Sequence, residues 1–309
     1  MLELSKLSCP RCRAEGIENA EEALRCSRCG ARYPVRGGIP RFVEQARDAS
    51  RQVQRVFDFE HRLYRDSQHT RFSPELVSQF LADCGLPPEF FRGQRALDAG
   101  CGSGRWTYAL AELGADVTGC DLTASGVEMA HEELGDRANV AFVQADLFAL
   151  PFPPASFDFV MSWGVLHHTR DTRAAFGQLV PLVRPGGTLF VMVYESVDRV
   201  RERGTNVLRT LLRRLPDDQR YRLCARLVLR KPLVYAYVNR LVTVALDDPA
   251  AHGLDRRTLQ FGLFDAYSPR WNHVHSRDEV RGWFEQSGFE DVMVLPSPSG
   301  AVKVRGVRT

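Results

Sequence analysis

A chain of 309 residues has room for one large domain, or one domain with an appendage, and its net charge of +3 implies a nucleic-acid partner only where basic residues cluster locally. A hydrophobic fraction of 44% and a charged fraction of 26% are ordinary for a globular protein in water. The opening residues MLELSKLSCP lack the basic start and apolar stretch of a signal peptide. The longest apolar run, LVYAYVNRLVTVAL (233–246), is broken by Asn239 and Arg240 and is too short to span a bilayer, so the expectation is a cytoplasmic protein.

Four of the eight cysteines come first, as Cys9-x2-Cys12 and Cys26-x2-Cys29. Each pair can set two thiolates on one side of a tight turn at tetrahedral-metal spacing, and Gly30 permits the left-handed turn after the second pair. A redox pair would normally follow a strand in a thioredoxin-like unit and would not come twice. The expectation is a closed, structural zinc site with Cys9, Cys12, Cys26 and Cys29 as ligands and no open position for catalysis. Cys84, Cys101, Cys120 and Cys224 are scattered singly and read as small buried residues in a reducing compartment. ARYPVRGGIPRFV (31–43) then reads as a small hairpin. Residues 5–43 resemble the Trm112-like zinc-ribbon modules, whose later part often reads YPVxxGIPxF.

RQVQRVFDFEHRLYRDSQ (51–68) is polar with aromatic punctuation, and reads equally as a helix folding over a ligand or as a solvated linker helix. ALDAGCGSGRW (96–106) then runs from a short strand into a helix through a glycine-rich turn, where a ligand meets a helix N-terminus. A phosphate-binding P-loop would need Gly-Lys-Ser/Thr at its end, and the dinucleotide fingerprint a glycine where Arg105 stands. What fits is D-x-G-x-G-x-G, formed by Asp98, Gly100, Gly102 and Gly104. ADVTGCDL (115–122) is a second strand ending in Asp121, where an acid can hold a ribose diol. VAFVQADLFALPF (140–152) is a third, ending in Asp146, where an acid can accept from an adenine amine while Leu147 and Phe148 cover the base. Any one acid alone would more often be a turn residue or a cap; three on successive strands make a nucleoside site.

These segments, with SFDFVMSWGVLHH and LVRPGGTLFVMVY, resemble in order and spacing the motifs of the class I S-adenosylmethionine-dependent methyltransferases, of the type 11-like kind, over residues 93–195. The resemblance implies an α/β, doubly wound, seven-stranded Rossmann-like sheet. It also implies S-adenosylmethionine as methyl donor, with Asp98, Gly100, Gly102 and Gly104 holding the methionine part. Asp121 and Leu122 then serve the ribose, and Asp146 and Leu147 the adenine, with Trp163 stacked on adenine or acceptor. Trp163 reads equally well as a core residue.

FDFVMSWG (157–164) and GTLFVMVYE (187–195) read as the fourth and fifth strands, joined by a helix over DTRAAFGQLVPLVRPGG that stops at Pro185-Gly186-Gly187. Residues 196–247 look helical and hold twelve basic side chains between Arg199 and Arg240, set against the acids Asp198, Glu202, Asp217 and Asp218. Three accounts of that charge stand side by side: a solvated face, an anionic small substrate or peripheral membrane contact through 196–247, and an RNA backbone. Ser276 and Glu279 form a capping box opening a helix that ends at Gly288, and FEDVMVL and AVKVRGVR are the last strands, antiparallel to each other. The expected units are a zinc ribbon (1–45), a helical lead-in (46–92), the cofactor-binding core (93–195), a basic helical lid insertion (196–270) and a C-terminal helix with two strands (271–309).

Methyl transfer to a hydroxyl or amine requires loss of a proton, which histidine can take at neutral pH. His167 and His168 follow the fourth strand, and His168 stands where the resembling small-molecule enzymes often have a histidine; packing or helix capping is the competing role. His273 and His275, with Tyr267 and Trp271, form a second candidate cluster where the lid rejoins the core. SWGV stands where many amino-group enzymes of the family carry Asn-Pro-Pro-aromatic, which disfavours exocyclic amines. The first expectation is therefore methylation of a small-molecule or lipid-like acceptor at O or C. The alternatives are an RNA methyltransferase gripping its substrate with ribbon and lid, and a non-catalytic cofactor-binding scaffold.

Overall fold

The computed structural model describes residues 3–43, 48–64, 72–196, 199–229, 260, 263–265, 267–297 and 300–309. Its N-terminal part is an antiparallel sheet of β1 (Ile17–Ala20), β2 (Ala23–Cys26), β3 (Arg32–Arg36) and β4 (Ile39–Pro40) in that order. β3 and β4 form the expected hairpin, turning on Gly37 and Gly38, both at positive φ.

Each apolar run of the core becomes a strand and each intervening periodic segment a helix. The strands are β5 (Arg95–Ala99), β6 (Asp116–Asp121), β7 (Val140–Gln144), β8 (Phe157–Trp163), β9 (Val183–Tyr194), β10 (Phe289–Leu295) and β11 (Ala301–Arg308). They form one seven-stranded sheet in the order β10-β11-β9-β8-β5-β6-β7. β5 to β9 pair in parallel, and β11 runs antiparallel to both β9 and β10. Alternation along the strands divides the core between two faces. Ala96, Phe159, Met161 and Phe190 pack with helices α2 (Pro74–Cys84), α3 (Arg105–Glu112) and α4 (Ala124–Leu134). Leu97, Val160 and Val191 pack with α5 (Thr172–Leu179) and with Trp283 and Phe284, which lie on the C-terminal helix (Arg277–Glu285).

Chain order reverses at β5, which has β6 on one side and β8 on the other. Ligands bind at such switch points, beyond the carboxyl ends of the strands.

Two boundaries depart from expectation. α5 stops at Leu179, a short 3-10 turn containing Pro181 follows, and Pro185-Gly186-Gly187 lies inside β9 instead of ending the helix. Pro181 supplies no N–H to continue α5. The pairing jumps from Phe157↔Val183 to Phe159↔Thr188, so Pro-Gly-Gly forms a bulge that positive φ at Gly186 makes possible. The second departure is the capping box, only half of which forms. Ser276 Oγ accepts from the Glu279 N–H at 3.2 Å, but the Glu279 carboxylate turns to His275 Nδ1 at 2.9 Å and the helix ends before Gly288.

The ribbon is bound into the core. The Phe42 N–H donates to the Gln144 carbonyl at 2.7 Å and Arg41 bridges Gln144 in parallel, covering the outer edge of β7. Leu7, Ile17, Leu24 and Phe42 share one apolar cluster with Val143 and Phe152.

α1 (Asp48–Tyr64) lies across the sheet's carboxyl edge. Val56 and Phe59 face away from the sheet into a cluster with Leu208, Tyr221, Cys224 and Phe264. That cluster joins α1 to α6 (Arg199–Leu212) and α7 (Asp217–Leu229). The C-terminal helix is α8. The remaining part of the basic region, 230–259, lies outside the described residues. No helix among those described is long and apolar enough to cross a membrane.

Candidate active site

A cavity of about 310 Å³ lies at the switch point beneath α1. At one end Asp121, where β6 stops, lines the wall with Leu122 and Thr123. Its Oδ1 accepts from the Thr123 N–H (2.8 Å) and Oγ1 (2.6 Å), and its Oδ2 from the Gly102 N–H (2.9 Å). Asp146 stands two residues beyond β7, with Oδ1 accepting from the Phe148 N–H at 2.9 Å and Oδ2 from Ser50 Oγ of α1 at 2.7 Å. Ionised carboxylates accept about four hydrogen bonds, so both keep capacity toward the cavity. Leu147, Phe148, Gly100, Gly102 and Trp163 complete this end, and Trp163 is also stacked on Trp106 at 4.1 Å.

Asp98 and Gly104 stand behind the turn and are absent from the lining. Asp98 is buried, takes a hydrogen bond from Thr107 Oγ1 at 2.7 Å, and burial pushes its carboxyl up to about 7. Gly104, at φ 88°, caps α3, and an added Cβ would stand 3.0 Å from that of Ala130. A Cβ on Gly100 would fall 2.3 Å from Val165 Cγ2. At both glycines the protein's own packing demands the missing side chain.

The other end of the cavity is polar and aromatic. His168, 3% exposed, lines it with Phe57, Glu60, Tyr194, Asp265 and Trp271. His168 Nδ1 lies 3.1 Å from the Trp271 carbonyl, which can only accept, so Nδ1 carries the hydrogen and Nε2 keeps its lone pair. Nε2 stands 3.8 Å from Asp265 Oδ1, and Tyr194 donates its hydroxyl to Asp265 Oδ2 at 2.8 Å. Burial lowers the His168 pKa, with Asp265 opposing. Glu60 is 4% exposed with no hydrogen-bond partner for Oε2, and burial raises its pKa well above the usual carboxylate range, reinforced by Asp265.

The other three candidate histidines lie off the cavity. His167 is fully buried, stacks on Tyr194 at 3.9 Å, and leaves both ring nitrogens unpaired; burial drives its pKa well down. His273 joins the His167 carbonyl through its backbone N–H, and His275 is held by Glu279 and packs on Trp283. Tyr267 is buried in the cluster beneath α6 and α7. Sequence reasoning missed Ser50, Glu60, His61, Tyr194 and Asp265. Position at the carboxyl end of β9 could have marked Tyr194, whereas no local signal marks Asp265.

In the ribbon the four thiols of Cys9, Cys12, Cys26 and Cys29 converge, all within 4.8 Å of one another. The Cys9–Cys29 and Cys12–Cys26 sulfur separations are 3.6 and 3.7 Å, near the ~3.8 Å tetrahedral edge that a Zn–S bond of about 2.3 Å implies. Tyr33 Oη lies 3.0 Å from Cys9 Sγ. Arg13 and Gly30, each following a pair, both take left-handed backbone (φ 59° and 70°).

Residues 97–191 match the family described as "Methyltransferase domain". The chain carries a methyltransferase domain. An uncharacterized methyltransferase of Mycobacterium tuberculosis is 39% identical over 101 residues, which are 33% of this chain and 51% of that protein. An O-methyltransferase of Penicillium expansum is 38% identical over 104 residues (32% and 38% of the two chains). A ubiquinone biosynthesis O-methyltransferase of Sinorhizobium fredii is 31% identical over 130 residues (42% and 52%). The chain thus spans about half or less of these relatives, and each of these three matches covers less than half of this chain. Both shares fit a common methyltransferase domain set among differing surroundings.

Proposed function

We propose that the protein transfers a methyl group from S-adenosylmethionine to a hydroxyl or carbon of a small-molecule or lipid-like acceptor. The observation that carries this reading is the single cavity with two unlike ends, nucleoside-type acids at one and a buried imidazole beside a carboxylate at the other. Asp121 suits the ribose hydroxyls and Asp146 an adenine amine, with Leu147 and Phe148 as apolar cover. When bound, S-adenosylmethionine supplies a methyl group already activated on a sulfonium, so positioning provides much of the acceleration.

The chain's own groups then manage the proton. With Nδ1–H committed to the Trp271 carbonyl, His168 Nε2 is the proton acceptor for an acceptor O–H, and burial keeps the ring neutral at pH 7. Asp265, pinned by Tyr194, stabilises the imidazolium that forms. A structural zinc ion on Cys9, Cys12, Cys26 and Cys29 belongs to the same reading, supported by the sulfur spacing.

Three arginines of the basic region are taken up by the protein's own packing. Arg209 and Arg220 are buried, Arg220 pairing with Asp217 and donating to the Ser268 carbonyl, and Arg213 donates to the Arg270 carbonyl.

The test is incubation with methyl-labelled S-adenosylmethionine and a host extract, followed by fractionation. Label in organic-soluble or aqueous small molecules, lost in Asp121→Ala, is expected. Label in RNA or protein would overturn the reading.

A further inference from the structure

The two acids and the glycine turn lie in a row, Asp146 after β7, Asp121 at the end of β6 and Gly100–Gly102 after β5. S-adenosylmethionine is itself linear: adenine, ribose, sulfur, then an amino-acid tail with an ammonium group. With adenine at Asp146 and ribose at Asp121, the tail continues onto the glycine turn. Asp98, the acid expected among the residues that hold the methionine part, is behind the turn and absent from the cavity lining. An ammonium carries three N–H donors, so a side-chain acceptor facing the cavity at that place adds to what the turn's carbonyls can offer.

His61 of α1 occupies it. The imidazole lines the cavity beside Gly102, Asp121 and Thr123, and Nε2 stands 3.1 Å from where a Gly102 Cβ would be. Its tautomer follows from its neighbours. Thr123 Oγ1 donates to Asp121 Oδ1 at 2.6 Å, so toward His61 Nδ1, 3.2 Å away, that hydroxyl accepts. Nδ1 therefore carries the hydrogen and Nε2 offers a lone pair on the cavity side. The ring is wedged against α4, where a Cβ on Gly126 would lie 2.9 Å from His61 Cε1. Burial lowers its pKa, which favours the neutral, accepting form, while Asp58 and Asp121 keep the surroundings favourable to a cation.

Resting on the cofactor reading above, we infer that His61 receives the α-ammonium group of the donor's amino-acid tail and fixes where that tail lies. α1 would then close the cofactor site as well as roof it, with Ser50 holding Asp146 at one end and His61 meeting the tail at the other.

Two ligands separate this role from mere support of α1. S-adenosylhomocysteine carries the amino-acid tail, whereas 5′-deoxy-5′-methylthioadenosine keeps the nucleoside and thioether without it. Calorimetric titration of the full chain with each, for wild type, His61→Phe and His61→Gln, is the experiment. His61→Phe fills the space but cannot accept, so affinity for S-adenosylhomocysteine is expected to fall about tenfold or more. Affinity for 5′-deoxy-5′-methylthioadenosine should stay within about twofold, which also establishes that the variant is folded. His61→Gln, which retains an acceptor, should lie between wild type and His61→Phe for the first ligand. Equal weakening of both ligands, or no change in either, would overturn the assignment. Failure of wild type to bind either ligand would instead bring down the cofactor reading, and this assignment with it.

Discussion

The two ends of the cavity are built by opposite means. The cofactor end draws its acids from consecutive strand ends, so Asp121 and Asp146 sit in contiguous motifs within one 95–152 stretch. The end proposed for the acceptor gathers Glu60 from α1, His168 after β8, Tyr194 from β9 and Asp265 from beyond the basic helices. A ligand common to many reactions can be held by the sheet itself. An acceptor that differs from enzyme to enzyme is met by elements laid over the sheet, whose sequences are free to vary.

That division predicts separable failures. The largest is expected at His168→Ala, which should lower turnover by roughly 10²–10⁴-fold while leaving S-adenosylhomocysteine affinity within about threefold. Single-turnover label transfer and calorimetry on one preparation check both. Next comes Asp121→Ala, expected to weaken S-adenosylhomocysteine by roughly 100-fold because charge-assisted ribose hydrogen bonds and the Gly102 and Thr123 anchors go together. Equilibrium dialysis measures it.

Asp265→Asn should cost turnover about tenfold and also move its pH profile. His168 must be neutral to act, so rate falls as pH drops through its pKa, which burial holds below 6.5. Asp265 raises that pKa, so the variant's acid limb should shift to lower pH. An unmoved limb would detach Asp265 from His168.

The smallest effect concerns Asp98, behind the turn. Its folded pKa of about 7 lies above the ordinary 3.8, so the folded state binds the proton more tightly than the unfolded chain. Its contribution is complete below 3.8 and is lost as pH rises through about 7. Asp98→Asn should therefore gain on wild type in thermal midpoint by a few degrees between pH 4 and 8. A constant difference across that range would contradict the burial assigned to Asp98.

Legibility followed the same division. Strands β5 to β8, and the cavity-lining acids that end β6 and follow β7, could be read because a parallel strand, its turn and its helix are local, and the residue at a strand's carboxyl end has a fixed place in them. The motif marks the position of Asp98 but not its depth, since only the packing of Thr107 on its carboxylate buries it behind the turn. The bulge at Pro185-Gly186-Gly187 was misread because the same residues that end helices also make bulges, and only the pairing with β8 decides between them. Among four histidines in similar settings, sequence could not separate His168 from His167, whose neighbouring ring points into Tyr194 and away from the cavity. Asp265 and Glu60 meet only through the packing of α1 on the basic helices, a long-range arrangement with no periodic trace.

The central claim, one cavity with a cofactor end and a separate acceptor end, is tested most directly by S-adenosylhomocysteine affinity for Asp121→Ala and Asp265→Asn titrated side by side. The account predicts a large loss for Asp121→Ala and an affinity close to wild type for Asp265→Asn. Comparable losses in both would mean that the carboxylate beside His168 serves the cofactor too, and the division would fall.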